Sequence, residues 1–142
     1  GILFCLFGWH VTQLQPDSIL IVTSGWLIVA HGIGTWLAGY FPMDADAYTK
    51  TPSTTGKLHI WAGVILLFAL IVAPVLILFA PQVGHITFEF KVFSIACVLA
   101  TILFMVTQAV AFKNKTNPGI HQRLSYGTQL IWLSGFSWLL GN

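Results

Sequence analysis

The sequence predicts an all-α protein, a polytopic bundle of transmembrane helices that forms one domain over residues 1–142. Of its 142 residues, 56% are hydrophobic and 7% are charged, whereas about one-quarter of the residues in an average soluble domain are charged. Because so few charges cannot cover a water-exposed surface, lipid must surround most of the protein. The apolar runs are unbroken rather than alternating, which favours helices over a β-barrel.

Five helices are expected in this sequence. Residues 1–12 are apolar but fall short of the roughly 20 residues that cross a hydrocarbon core. We interpret them as the end of a helix whose start lies before this sequence. Four later runs are long enough to span: 18–41, 58–80, 92–112 and 120–141. Proline, glycine and asparagine in the segments between them are typical of turns.

The basic residues predict the orientation of the helices. Successive spans cross in opposite directions, so loops 42–57 and 113–119 lie on one side. Of the 6 Lys and Arg residues, all but Lys91 lie in these loops or just after them: Lys50, Lys57, Lys113, Lys115 and Arg123. By the positive-inside rule, both loops are predicted to be cytoplasmic. The net charge of +2 is too small to indicate a nucleic-acid partner.

Glycines recur every seven residues in the second predicted helix, at Gly25, Gly32 and Gly39. At about 100° per residue they share one face. Glycine on such a face allows another backbone to approach closely, which is how membrane helices associate. We expect helix packing here; a groove for a flat ligand is the alternative.

His31 lies near the middle of the same helix. An ionisable residue at that depth should face the protein interior and find a partner there. A neutral histidine that is hydrogen-bonded to a neighbouring helix is the expected arrangement. Ligation of a b-type haem is the remote alternative, and it needs a second axial ligand at similar depth. The other histidines, His10, His59, His85 and His121, lie toward helix ends, so neither haem nor another cofactor is expected.

Uncommon polar side chains converge on the basic side of the predicted bundle. Gln108 lies in the fourth helix, and Gln122 and Gln129 lie in the fifth. Such residues either join helices by hydrogen bonds or line a small cavity. We predict one polar cluster, composed of Asp44, His59, Gln108, Gln122, Arg123 and Gln129.

Asp44 follows the C-terminal end of the second helix, where the helix dipole disfavours a negative charge. We therefore expect a cationic partner. Lys57, His59 and Arg123 could each serve, and a pair with Arg123 or His59 is the first choice. A metal site of Asp44, His59 and His121 is a weak alternative, because the sequence has neither HExxH nor CxxC. It also lacks GxSxG, and no catalytic residue is predicted.

Two stretches resemble the bacterial and archaeal membrane proteins catalogued as domain of unknown function 998 (DUF998). In GTWLAGYFPMDADAYTKTPSTTGKLH, a glycine-rich helix ends in the family's Gly-x-Phe-Pro-x-Asp, and Thr and Gly shortly precede Leu-His. PGIHQRLSYGTQLIW is similar to the family's Gly-x-x-Gln-Arg-Leu segment, which leads to a Trp. The matching positions are Phe41, Pro42, Asp44, Gly56, His59, Gln122, Arg123 and Trp132. The resemblance implies about six helices in the full protein, a prokaryotic inner membrane and no assigned activity.

Two functions are open at this point. The first is a small accessory or structural subunit, or a lipid-contacting partner, of a larger membrane complex; its partners would be membrane lipids and other membrane-protein subunits. The second is a pocket at the Asp44, His59 and Arg123 end that binds a small molecule, or a metal that activates water for lipid hydrolysis. A transporter is disfavoured because no inverted repeat is visible.

Overall fold

Five helices lie within the part of the chain that the structure describes. The computed structural model describes residues 1–46, 48–82 and 86–141. The helices, in chain order, are α1 (Ile2–Leu14), α2 (Ile19–Tyr40), α3 (Thr54–Phe79), α4 (Phe88–Lys113) and α5 (Pro118–Leu140). No strand occurs among the described residues. The prediction of an all-α helical membrane protein is confirmed.

Three of the helices, α2, α3 and α4, are long and apolar enough to cross a membrane. α1 is apolar but shorter, with 13 residues. α5 has 23 residues, or about 35 Å at 1.5 Å per residue, so its length would suffice. It is not among the three, because His, Gln, Arg, Ser and Thr side chains interrupt its apolar sequence. The prediction of four complete spans therefore holds for three.

Two helices begin earlier than predicted, because hydroxyl side chains cap them. The Ser53 hydroxyl accepts a hydrogen bond from the Gly56 amide at 3.0 Å, so α3 begins at Thr54 rather than at residue 58. The Thr87 hydroxyl accepts from the Phe90 amide at 3.3 Å, so α4 begins at Phe88 rather than at residue 92. Each cap satisfies an amide that has no partner within its helix.

The chain divides into two compact units, Gly1–Ala73 and Pro74–Asn142. The border falls inside α3, at Pro74, whose missing N–H removes one hydrogen bond from the helix. The first unit contains α1, α2 and most of α3. The second contains the end of α3 with α4 and α5. The prediction of one domain over residues 1–142 stays a prediction.

In the first unit, α1 packs directly on the glycine face of α2. A Cβ atom on Gly25 would lie 2.6 Å from Thr12 Cγ2 and 2.7 Å from the Gly8 carbonyl oxygen. A Cβ on Gly32 would lie 2.6 Å from Cys5 Sγ. Since real Cβ atoms do not approach that closely, only glycine allows this contact between the two backbones.

The third glycine of the series takes no part in this packing. No described atom lies within 4 Å of the position that a Cβ on Gly39 would occupy. Gly39 therefore shares the seven-residue spacing of Gly25 and Gly32, but it does not share their contact with α1.

In the second unit, α4 and α5 are joined by stacked aromatic rings and by hydrogen bonds between side chains. The Phe90 and Phe136 rings stack with centroids 5.0 Å apart, and Trp132 packs against both of them. The Trp132 indole N–H donates to the Ser94 hydroxyl at 2.9 Å. Since all these residues except Ser94 are large, ring volume fills most of this contact.

Candidate functional site

Three hydrogen bonds connect α2 to α3 at seven-residue intervals along both helices. We call this set the α2–α3 ladder. The pairs are Ser24 with Ala73, His31 with Leu66, and Ala38 with His59. Seven residues are about two helical turns, so the three bonds lie on one face of each antiparallel helix. His31 and His59 were both predicted site residues, but their shared register was not predicted.

The middle bond of the ladder is made by His31, which is fully buried. Its Nδ1 lies 3.2 Å from the Leu66 carbonyl oxygen. Because a carbonyl only accepts, Nδ1 carries the proton and donates. The imidazole also meets the Phe4 ring edge-on, with centroids 5.0 Å apart. Both contacts orient the ring. Neither contact tests haem ligation by His31, which was the remote alternative.

The last bond of the ladder is made by His59 at the C-terminal end of α2. Its Nδ1 lies 3.0 Å from the Ala38 carbonyl oxygen and 2.8 Å from that of Phe41. In a continuing helix, the Ala38 carbonyl would accept from the amide of residue 42. That residue is Pro42, which has no N–H to donate. The His59 imidazole supplies the donor that Pro42 lacks.

Asp44 lies over the first turn of α3. Its Oδ2 accepts a hydrogen bond from the Ser53 amide at 3.0 Å. A Cβ atom on Gly56 would overlap with the same carboxylate, so Asp44 keeps this position only with glycine there and would shift if residue 56 were alanine. The first turn of a helix presents free amides and the positive end of its dipole, both of which favour a carboxylate.

This position of the carboxylate differs from the one expected from the sequence, which was against the unfavourable C-terminal end of α2. The loop instead returns the carboxylate to the N-terminal end of α3, where the Ser53 amide is its partner. His59 donates to main-chain carbonyls of α2. The expected cationic partner of Asp44, His59 or Arg123, stays a prediction.

These contacts form one structural feature, which we call the α2–α3 corner. It comprises Phe41, Pro42, Asp44, Gly56 and His59 together with Ser53. All but Ser53 are positions that match the resemblance described above. These side chains form hydrogen bonds with main-chain groups at the two helix ends. His59 donates to carbonyls at the end of α2, while Asp44 and Ser53 accept from amides at the start of α3. Ser53 was not predicted from the sequence. Its signal is a serine just before the first helical residue, Thr54, which is a preferred capping position.

The remaining members of the predicted polar cluster belong to the second unit. There Gln129 is buried, Gln108 is half-buried, and Gln122 and Arg123 are exposed. These four therefore do not share one environment within the second unit. The cluster of six residues stays a prediction.

The described residues offer no metal centre. Within residues 1–46, 48–82 and 86–141, no group of three or more His, Cys, Asp or Glu side chains could hold a metal ion. No such group therefore supports the weak candidates Asp44, His59 and His121. His85 lies outside the described residues.

One comparison with known proteins identifies a family. The model of the family described as "Protein of unknown function (DUF998)" matches residues 1–139. The chain belongs to the DUF998 family. No curated protein and no solved structure matches it. Family membership and three apolar helices make this DUF998 chain a membrane protein.

Proposed function

We propose that this DUF998 protein is a non-catalytic accessory subunit that packs against other membrane-protein subunits in the bilayer. The observation that carries the proposal is a set of helical glycines whose Cβ positions face open space. The α2–α3 corner supports it as well, because Asp44 and His59 are both hydrogen-bonded to main-chain groups of their own unit.

Four of the described helical glycines have open Cβ positions. Gly119 lies in the first turn of α5, and the other three support docking of further helices. They are Gly39 in α2, Gly63 in α3 and Gly127 in α5, and no described atom lies within 4 Å of the Cβ position of any of them. Glycine inside a helix costs about 1 kcal/mol relative to alanine. At Gly25 and Gly32 the contact with α1 explains that cost; at these three positions a helix of another subunit would explain it, since glycine allows close approach in membranes.

The α1–α2 contact also revises the surface that docking would use. The seven-residue glycine face of α2 was expected to pack against another helix. α1 occupies it at Gly25 and Gly32, which leaves Gly39 as the available member. Docking is therefore proposed at Gly39, Gly63 and Gly127.

The test is the mass of the intact assembly. The tagged protein is extracted with its native lipids by a copolymer and measured by native mass spectrometry. We expect a defined complex that contains a second membrane protein at fixed stoichiometry. Gly63→Leu and Gly127→Leu should reduce the occupancy of that complex at least ten-fold. Val64→Leu is the matched control, because Val64 is exposed and adjacent to Gly63, and it should leave the complex intact.

Other outcomes would reject the accessory role. A protein that remains a single copy with lipid alone would contradict it, as would a complex that all three leucine variants retain. A metal ion or small molecule that copurifies with wild type, and is lost in Asp44→Asn and His59→Gln, would instead support the pocket hypothesis.

A further inference from the structure

The connection between α4 and α5 carries a concentrated positive charge. Lys113 ends α4, Lys115 lies in the connection, and Arg123 lies in the second turn of α5. All three side chains are exposed. α4 and α5 pack antiparallel, with Ser94 bonded to Trp132 and, nearer the connection, Thr101 hydrogen-bonded to Thr128 at 2.7 Å. The three cations therefore lie at one end of this helical pair, and we call them the cationic tip.

The backbone at the cationic tip is fixed by hydrogen bonds. The Lys115 amide donates to the Phe112 carbonyl at 3.2 Å, and the Thr116 amide donates to the Ala111 carbonyl at 3.0 Å. Lys115 has a φ of 53°. These features together make a Schellman motif, in which the left-handed residue ends the helix. The cations are thus held on a short, ordered turn rather than on a flexible loop.

No acidic residue of the sequence lies near the cationic tip along these two helices. Residues 90–142 contain neither Asp nor Glu. Glu89 begins α4 at the opposite end, about 36 Å from Lys113 at 1.5 Å per residue. The α4–α5 pair therefore supplies no counter-charge of its own at the cationic tip, and anions from outside this pair would provide it.

An exposed apolar face of α4 leads directly to the cationic tip. It consists of Leu99, Leu103, Val106 and Val110, which are 52% to 62% exposed. Their spacing of four, three and four residues places them in one row, and Lys113 continues the row three residues later. The row lacks the small residues that allow helices to approach one another closely. Its bulky side chains suit lipid acyl chains instead.

We propose that the cationic tip binds the headgroup of an acidic phospholipid, whose acyl chains lie along the row from Leu99 to Val110. The surface and the lipid have matching layouts, because each has an apolar length with a charged end of opposite sign. Anionic headgroups attract basic residues at the membrane surface, whereas zwitterionic headgroups carry no net charge. This inference goes beyond the accessory role, since it needs only that α4 spans the membrane.

The experiment is a lipid titration of the full chain in neutral detergent, followed by native mass spectrometry. Wild type should bind phosphatidylglycerol at least ten-fold more tightly than phosphatidylcholine of the same chain length. Each cation converted to glutamine should weaken phosphatidylglycerol binding about five-fold, the equivalent of about 1 kcal/mol per basic residue. Inorganic phosphate at the same concentration should not compete, because it has no acyl chains.

The variants separate this site from general charge effects. Lys113→Gln/Lys115→Gln removes two charges from the tip and should weaken binding about 25-fold, by the same conversion for each charge. Lys50→Gln/Lys57→Gln removes two exposed lysines outside the tip and should leave the affinity unchanged. If the tip variant fails to fold, Arg123→Gln alone serves, with an expected five-fold loss.

Three results would overturn the proposal: equal affinity for the two lipids, equal losses in both double variants, or unchanged affinity in the tip variant. None of these depends on a second subunit. If wild type forms no complex with a second membrane protein but still prefers phosphatidylglycerol, the accessory role is rejected and the lipid site is retained.

Discussion

The two units join their helices in different ways. In the first, α1 and α2 meet through glycines, and α2 and α3 meet through side chains that donate to main-chain carbonyls. In the second, α4 and α5 meet through stacked rings and side chain–side chain hydrogen bonds. The α1–α2 contact therefore depends on the absence of side chains at its glycines. The α4–α5 contact depends on the presence of large aromatic side chains. We accordingly expect the α1–α2 contact to be sensitive to added volume and the α4–α5 contact to be sensitive to the removal of ring volume.

Removal of ring volume from the second unit should have the largest effect. Trp132→Ala deletes a side chain that is 1% exposed, together with its hydrogen bond to Ser94. We expect the free energy of unfolding in mixed micelles to fall by about 3 kcal/mol. Trp132→Phe, which keeps a ring but not the N–H, should lose less than half of that. A loss below about 1 kcal/mol in Trp132→Ala would show that the rings do not hold α4 and α5 together.

Addition of volume at the α1–α2 contact of the first unit should have the next largest effect. Gly25→Ala places a Cβ against Thr12 and the Gly8 carbonyl, and we expect a loss of about 2 kcal/mol in the free energy of unfolding. Gly39→Ala is the matched control on the same helix. Because the Cβ position at Gly39 is open, this substitution should raise the free energy of unfolding by up to about 1 kcal/mol. Similar losses in both variants would contradict the α1–α2 contact.

The α2–α3 corner should show coupling between Asp44 and Gly56. Gly56→Ala displaces the carboxylate, and we expect a loss of about 1.5 kcal/mol in the free energy of unfolding. In an Asp44→Ala background the same change should cost less than about 0.5 kcal/mol, because the overlap is gone. A double-mutant cycle measures the difference. Additive losses would mean that the two residues do not touch.

The smallest effect is expected at the turn between α4 and α5. Lys115 has a φ of 53°, a region that disfavours residues with a Cβ. Lys115→Gly should therefore raise the free energy of unfolding by about 0.5 to 1 kcal/mol. Lys113→Gly, two residues earlier inside α4, should lower it by a similar amount. Destabilisation by both substitutions would contradict the left-handed turn.

The sequence was most informative where apolar content and spacing determine the answer. Unbroken apolar runs predicted the all-α class, and the spacing of Gly25 and Gly32 marked the face on which α1 lies. It was least informative where the path of a loop decides. Asp44 was expected to interact with the dipole of α2, the nearest helix in sequence. The loop instead carries its carboxylate to the start of α3. No local pattern reveals such a path.

The boundary errors have a similar cause. Thr54, Thr55 and Gly56 are weak helix formers, so the predicted start of α3 moved to the apolar run at residue 58. The Ser53 cap and the Asp44 carboxylate stabilise that first turn from outside the helix. Its stability is therefore a tertiary property, which single-residue preferences do not contain.

The common spacing of the α2–α3 ladder limits how α2 and α3 can move. A slide of one helical turn, about 5.4 Å, would carry Ser24, His31 and His59 away from their carbonyls simultaneously. A rotation of either helix about its axis would do the same. Rocking about His31, by contrast, could strain the outer two bonds while the central one persists. Any rearrangement of this helical pair should therefore be a tilt rather than a piston-like shift.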